Sequence, residues 1–192
     1  MLKPFYTMRQ VLHSAYHFLG DIIPVTITAE VTDGIGIHVV GIPDAAVKAS
    51  LLRVVTALQS LGYHIPGKKI VIDIEPHGGK MSWAGAHRPA ECAEAFDVAI
   101  ALSILMASGQ MNTLRGKQVD EVLFFGKLTL DGQLAAPYTG FDNSDDAAAV
   151  LEYRLRRNWD AIYGYPANFW TIWVAVKTLP EIIEAINSGE PL

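Results

Sequence analysis

The chain of 192 residues lacks several features that mark specialised protein classes. It contains one cysteine, Cys92, which excludes an internal disulfide framework and a cysteine-based zinc site and fits a reducing cytosol. It also lacks an excess of basic residues, since 15 lysines and arginines stand against 20 aspartates and glutamates, for a formal net charge of −5. This balance argues against a protein that coats nucleic acid.

Long hydrophobic runs are missing as well. A membrane-spanning helix needs roughly 18 or more consecutive apolar residues, whereas the longest candidate here, residues 98–107, is shorter and follows Asp97. The N-terminus has no signal-peptide pattern, which predicts a cytoplasmic location. Apolar residues still make up 51% of the chain and charged residues only 18%, so the chain can fill the core of a single domain.

The N-terminal third of the chain predicts one helix and two strands. Residues 8–19 carry apolar side chains at helical spacing up to Gly20, which predicts a short amphipathic helix inside a variable segment, residues 1–20. Residues 24–31 and 35–40 read as strands, and the Thr-Asp-Gly sequence between them predicts an antiparallel hairpin.

The rest of the chain, residues 21–192, is predicted as one α/β or α+β domain because strands and helices interleave without a strict βαβ rhythm. Helical spacing and helix-ending glycines predict helices over 43–61 and 91–108, the second of them buried. A strand over 69–75 and a hairpin over 121–135 around Asp131-Gly132 complete the centre. Further predicted elements are a helix over 144–157, strands over 159–163 and 170–176, and a final helix over 178–189.

Phosphate-binding loops are not indicated. The run from His77 to Lys80 contains two glycines and a lysine, but it lacks the earlier glycine of a P-loop and has Met81 in place of the hydroxyl residue. No GxGxxG pattern occurs either. We therefore predict no nucleotide cofactor.

Metal ligation is only weakly indicated by the histidines. His13 and His17 would share one face of the predicted helix, but Ser14 stands where a zinc-protease pattern requires glutamate. His77 and His87 could meet on one loop, although no third ligand is implied. We predict no metal.

Nucleophilic and acid–base catalysis has equally little support. Cys92 lies at the start of the second predicted helix, where the helix dipole would favour a thiolate, yet no partner base is indicated. Asp73 and Glu75 alternate with isoleucines and so share one strand face, which is more typical of a solvated sheet surface than of a catalytic pair. No catalytic residue is predicted.

A long glycine-containing loop, from His77 to Glu94, is the remaining functional candidate. Four of its side chains are predicted to contact a partner: Lys80, Trp83, His87 and Arg88. Cationic and aromatic groups of this kind stack on and pair with nucleic acid or with a protein surface.

Several blocks of the sequence resemble one family in an unbroken order. GIPDAAVKAS at 41–50 resembles the pattern GLPDxAVKES, and KIVIDIEP at 69–76 resembles RITVNLAP. AFDVAIAL at 95–102 resembles AFDLPIAL, and LFFGKLTLDG at 123–132 resembles LFLGELSLDG. These are patterns of the N-terminal domain of ComM-type ATPases related to magnesium-chelatase subunit ChlI, and the resemblance covers about residues 24–189.

This resemblance implies a ribosomal protein S5 domain 2-like fold, which the Lon protease catalytic domain shares. The Lon-type serine would fall on Ala95 and the lysine at about Asp142, and neither side chain can perform that chemistry. The resemblance therefore implies that the chain is not a protease. In the family this domain precedes an AAA+ motor, and we expect the present chain to be the domain without its motor.

The sequence thus predicts a non-catalytic binding or assembly module. Its expected partner is an AAA+ ATPase or a second copy of the chain, with DNA contacted through such a complex. One alternative is an enzyme whose site lies in the loop of residues 77–94 and uses His77, His87 or Cys92. Another is a weak nucleic-acid binder that uses Lys80 and Arg88.

Overall fold

The described part of the chain is built around a mixed six-stranded β-sheet. A computed structural model describes residues 10–18, 21–41, 44–76, 93–113, 122–135, 170–171 and 178–188. The strands are β1 Gln10–Phe18, β2 Asp21–Thr32, β3 Gly36–Val40, β4 Lys69–Pro76, β5 Val122–Leu123, β6 Lys127–Leu128, β7 Leu134–Ala135 and β8 Trp170–Thr171. The helices are α1 Asp44–Ser60, α2 Asp97–Ala107 and α3 Leu179–Ser188, with a 3-10 turn over Glu94–Phe96 before α2. The predicted mixed α and β class is confirmed.

The N-terminal segment forms a strand, so the helix predicted for residues 8–19 was wrong. Strand β1 pairs antiparallel with β2 along its whole length, from Gln10 opposite Ala29 to Phe18 opposite Asp21. Its central residues, 12–15, are all buried, which means that both faces of the strand are covered. A strand buried on both faces shows no strict alternation, and its sequence is then hard to distinguish from that of a buried helix.

Strands β2 and β3 do not form the predicted hairpin, because β4 lies between them. The six strands follow the order β3-β4-β2-β1-β5-β8. Strand β4 pairs antiparallel with β2 and parallel with β3, and helix α1 makes the crossover that a parallel pair requires. Every second residue of β4 is fully buried, namely Ile70, Ile72 and Ile74, and this strand lies in the interior of the sheet between β3 and β2.

Helices α1 and α2 confirm the sequence predictions and end as their glycines indicate. Gly62 and Gly109 have φ angles of 84° and 70°, in the left-handed region that glycine tolerates. The next residue after each glycine donates its N–H back to the helix, at 2.9 Å in both cases. Helix α2 is buried from Asp97 to Met106 and packs against α1, β1 and β2, as expected for a central helix.

The first strand of the hairpin predicted over 121–135 is interrupted in the structure. Strand β5 joins the main sheet beside β1, and the chain then leaves that sheet and forms the predicted hairpin from β6 and β7. The final helix begins where it was predicted, and Thr178 Oγ1 caps its first turn by accepting the N–H of Glu181 at 3.4 Å. The elements predicted over 144–157 and 159–163 lie outside the described residues, as does Gly189.

No helix of the described ranges is long and apolar enough to cross a membrane. The core of this part of the chain lies between the sheet and the helices, and its largest fully buried side chains include Phe96, Phe124 and Phe125.

A glutamine side chain fastens the connection after α1 to the end of α2. Gln110 Nε2 donates to the carbonyl oxygen of His64 at 2.9 Å, and Gln110 Oε1 accepts the N–H of the same residue at 3.0 Å. We expect Gln110→Ala to lower the free energy of unfolding by about 1–2 kcal/mol because these two hydrogen bonds are lost, together with a third from Gln110 Nε2 to Ser108 Oγ at 2.7 Å. Chemical denaturation measures this loss. Gln59→Ala, on an exposed position of α1, is the matched control, and an equal loss in both variants would contradict the prediction.

Candidate functional site

A buried carboxylate at the first residue of α2 is the most distinctive polar group in the described residues. The Asp97 side chain is fully buried and accepts four hydrogen bonds. Arg53 donates from Nε to Oδ2 at 2.7 Å and from Nη2 to Oδ1 at 3.2 Å. The Ser50 hydroxyl donates to Oδ1, and the N–H of Leu128 donates to Oδ2 at 3.1 Å. The two-point contact from Arg53 fixes both the distance and the orientation of the guanidinium relative to the carboxylate.

The electrostatics of Asp97 reflect a competition between burial and hydrogen bonding. The pKa of Asp97 is raised from 3.8 to about 6 in the folded protein. Burial is the largest cause and outweighs the opposing effects, since removal from water disfavours the charged form. The hydrogen bonds from Arg53 and Ser50, the charge of Arg53 and the backbone N–H of Leu128 act in the opposite direction and lower it. The carboxylate therefore titrates much closer to neutral pH than an exposed aspartate.

A second carboxylate continues the network toward solvent. Glu94 Oε1 lies 2.8 Å from Lys127 Nζ and 3.8 Å from Arg53 Nη1. The exposed side-chain fractions are 16% for Glu94 and Arg53 and 32% for Lys127, against 0% for Asp97. We call these four residues together with Ser50 the Asp97 network. It contains two cations and two carboxylates, so its charges balance.

The sequence positions the Asp97 network from three separate elements. Ser50 and Arg53 are three residues apart and so share one face of α1. Glu94 and Asp97 are also three apart, across the junction between the 3-10 turn and α2. Lys127 comes from β6, whose hairpin packs against the start of α2. The network therefore joins α1, α2 and the hairpin at one point.

Ala95, the position to which the sequence resemblance assigns a Lon-type serine, lies beside the Asp97 network. Ala95 is 1% exposed, and its carbonyl oxygen accepts the N–H of Gly126 at 3.1 Å and the Ser14 hydroxyl at 3.4 Å. Its methyl side chain offers no nucleophile. The nearby Ser50 hydroxyl is buried and donates to a carboxylate, without a histidine or lysine in the described contacts that would activate it. The Asp97 network therefore connects α1, α2 and the hairpin and fixes the orientation of its charged side chains.

The extended backbone of β1 places His13 and His17 far apart. His13 and His17 would adjoin on a helix, but in β1 their α-carbons are about 13 Å apart at 3.3 Å per residue. Asp73 and Glu75 do share one face of β4, as predicted, where Asp73 is half-buried and Glu75 exposed. No group of three histidine, cysteine, aspartate or glutamate side chains that could hold a metal ion occurs within the ranges that the structure describes.

The predicted partner loop lies largely outside the described residues. This applies to Lys80, Trp83, His87 and Arg88, to His77 and Cys92, and to Asp142, so their roles stay predictions. Sequence reasoning did not identify the Asp97 network as a unit. One signal was available, because Asp97 opens a helix that is otherwise apolar around its circumference, and a charge in such a helix requires buried partners.

The residues of the Asp97 network lie within the part of the chain that matches a known protein family. The family model described as "Subunit ChlI of Mg-chelatase" matches residues 27–141, which is more than half of the chain and includes every residue of the Asp97 network.

The curated relatives are much longer than the matched region. The uncharacterized protein YifB of Escherichia coli strain K12 is 34% identical over 112 residues, which cover 58% of this chain and 20% of that protein. Competence protein ComM of Haemophilus influenzae is 34% identical over 111 residues, or 57% of this chain and 19% of that protein. An uncharacterized protein of Mycobacterium bovis is 31% identical over 116 residues, or 60% and 20% respectively. The chain thus spans about a fifth of the length of the relatives it matches.

Proposed function

Because this chain belongs to the family of magnesium-chelatase subunit ChlI and resembles ComM, we propose that it is a non-catalytic binding and assembly module. The observation that carries the proposal is the environment of Ala95. An alanine occupies the position that the resemblance assigns to a serine nucleophile, and its side chain is buried. The charged groups nearby pair with one another, so the described site holds its charges in a rigid arrangement.

The proposed partner is an AAA+ ATPase. The resemblance associates a domain of this kind with such a motor, and the match to about a fifth of YifB and ComM is the size expected of one domain within a larger machine. The Asp97 network supports this role, because it fixes α1, α2 and the hairpin relative to one another and so preserves a rigid surface for docking.

The same proposal extends to the fold family and to the location. The mixed sheet and the β3–α1–β4 crossover support the ribosomal protein S5 domain 2-like architecture that the resemblance implies. A cytoplasmic location is supported by the single cysteine, which fits a reducing compartment.

The non-catalytic assignment is tested with a reactive-serine probe. We expect a fluorophosphonate to leave the native chain unlabelled, while a serine protease in the same assay is labelled fully. Stoichiometric labelling that disappears in Ser50→Ala would overturn the assignment, because Ser50 is the serine that contacts the buried carboxylate.

The binding role is tested with the immobilised full chain. We expect the chain to retain an AAA+ ATPase from an extract of its own cell, measured as retained ATP hydrolysis, whereas heat-unfolded chain retains none. Equal retention by folded and unfolded chain, or none by either, would contradict the proposed partner.

A further inference from the structure

Arg53 lies between two carboxylates at the junction of α1, α2 and the hairpin. Its Nε and Nη2 atoms donate to Asp97 at 2.7 and 3.2 Å, whereas its Nη1 atom lies 3.8 Å from Glu94 Oε1. The other oxygen of Glu94, Oε2, takes part in no hydrogen bond or ion pair among the described residues. Arg53 therefore has a second acceptor only about 1 Å beyond hydrogen-bond distance.

The hydrogen-bond partners of Asp97 determine which of its oxygens can bind a proton. Oδ2 accepts N–H groups from Arg53 and from the backbone of Leu128, and neither group can accept a hydrogen bond in return. Oδ1 accepts from Arg53 Nη2 and from the Ser50 hydroxyl, and a hydroxyl can also act as acceptor. A proton therefore binds at Oδ1 and is donated to Ser50 Oγ, because on Oδ2 it would point at two donors.

We propose that a proton bound to Asp97 transfers the Arg53 guanidinium to Glu94, so that the junction has two arrangements between which the pH selects. The proton comes from solvent and forms an O–H bond at Asp97 Oδ1. The hydrogen bonds that Oδ1 accepted from Arg53 Nη2 and Ser50 are lost, and the new O–H donates to Ser50 Oγ. Arg53 Nη1 then donates to Glu94 Oε2. This switch goes beyond the proposed function and does not depend on it.

The charge balance of the Asp97 network drives the transfer. When Asp97 is charged, the network holds two carboxylates and two cations. When Asp97 is neutral, Glu94 is the one carboxylate of the network that remains, and its two oxygens can serve Arg53 and Lys127 separately. The pKa of Asp97, which burial raises to about 6, places the transition close to neutral pH.

The other elements around α2 bring no further charge to Asp97 in the side chains that the structure describes. Helix α2 packs against α1, β6 and the 3-10 turn, which supply the charged members of the Asp97 network, and against β1 and β2. The two strands turn uncharged side chains such as Ser14 toward α2. By strand alternation His13 and Glu30 lie on the opposite face of the sheet. The response to the proton is therefore confined to the network.

The transfer changes how the hairpin is held. With Asp97 charged, Lys127 is the cation that lies closer to Glu94, at 2.8 Å against 3.8 Å for Arg53. After the transfer Lys127 shares this carboxylate with Arg53, so the hairpin loses part of its solvent-side attachment and keeps the buried hydrogen bond from Leu128. The network also gains one net positive charge beside Lys127, which is its most exposed member.

NMR of the full chain between about pH 4.5 and about pH 8.5 tests the switch. The Arg53 Nε–H resonance is assigned by its loss in Arg53→Lys, and the carboxyl carbon of Asp97 by its loss in Asp97→Asn. We expect both resonances to shift with a common midpoint at about pH 6. In Asp97→Asn, which cannot bind the proton, the Arg53 resonance should stay close to its acid position throughout the range.

Glu94→Gln identifies the second partner, and it decides the question alone if Asp97→Asn does not fold. Asp97 still titrates in this variant, but the Arg53 resonance reaches a different acid end point because no second carboxylate receives the guanidinium. Glu184→Gln, the same change at an exposed position of α3, is the control and leaves both titrations unchanged. The switch is overturned if Asp97 titrates without a shift at Arg53, or if the native chain and Glu94→Gln share one acid end point.

Discussion

Asp97→Ala is expected to lower the free energy of unfolding by about 3–5 kcal/mol at pH 7. The substitution removes the acceptor of four hydrogen bonds and leaves the Arg53 guanidinium, the Ser50 hydroxyl and the N–H of Leu128 without their buried partner. Arg53 would retain only the longer 3.8 Å contact with Glu94. Urea unfolding followed by circular dichroism measures the change.

A double variant distinguishes the effect of losing the ion pair from the effect of losing packed volume. In Arg53→Met with Asp97→Leu, both charges are replaced by apolar side chains, and we expect a smaller loss than in Asp97→Ala because no buried charge is left unpaired. Asp97→Asn should lose about 1–2 kcal/mol, since the amide oxygen still accepts hydrogen bonds. Equal losses in all three variants would contradict the argument that the unpaired Arg53 charge sets the cost of Asp97→Ala.

The pH dependence of stability follows from the same carboxylate. The folded pKa of about 6 lies above the ordinary value of 3.8, so the folded state binds the proton more tightly than the unfolded state. The contribution of Asp97 to stability is therefore greatest below pH 3.8 and falls as the pH rises through about 6, by about 3 kcal/mol in all. Asp97→Asn should remove this part of the slope. An unchanged slope in the variant would contradict the assignment.

The fold was predictable wherever one local signal was sufficient. Helix α2 was expected from its apolar circumference and its terminal glycine, and the hairpin of β6 and β7 from Asp131-Gly132. Strand β1 was missed because both of its faces are buried at residues 12–15, so its sequence shows no alternation of apolar and polar residues. The β2–β3 pairing was wrong because a local turn signal does not indicate that a later strand will be inserted.

The Asp97 network was less accessible to sequence reasoning for a related reason. Its members are distributed over residues 50–127, and the contacts between them depend on how α1 and β6 meet the start of α2. Helical spacing indicates that Ser50 and Arg53 share a face, but it does not indicate what that face contacts. Burial of one charged residue predicts that partners exist. Their identity follows only from the tertiary structure.

Gly41 occupies a tight position directly after β3. Its φ angle is 94°, and a Cβ atom there would stand 1.9 Å from the carbonyl oxygen of Ile74 and 2.9 Å from the carbonyl carbon. Backbone atoms of a strand paired on both sides cannot yield as a flexible side chain would. The absence of a side chain at Gly41 therefore allows the chain to leave β3 close against β4 and enter the crossover to α1.

We expect Gly41→Ala to lower the free energy of unfolding by about 3 kcal/mol or more, of which about 1–2 kcal/mol is backbone strain at positive φ and the rest is displacement of β3 from β4. Gly62→Ala is the matched control, because its φ angle is 84° and nothing lies within 4 Å of the new methyl group, so it should cost only the backbone strain. Hydrogen exchange should also accelerate at the β4 amides in the Gly41 variant and remain unchanged there in the Gly62 variant. Equal stability losses in the two variants would mean that the close approach to Ile74 does not constrain the crossover.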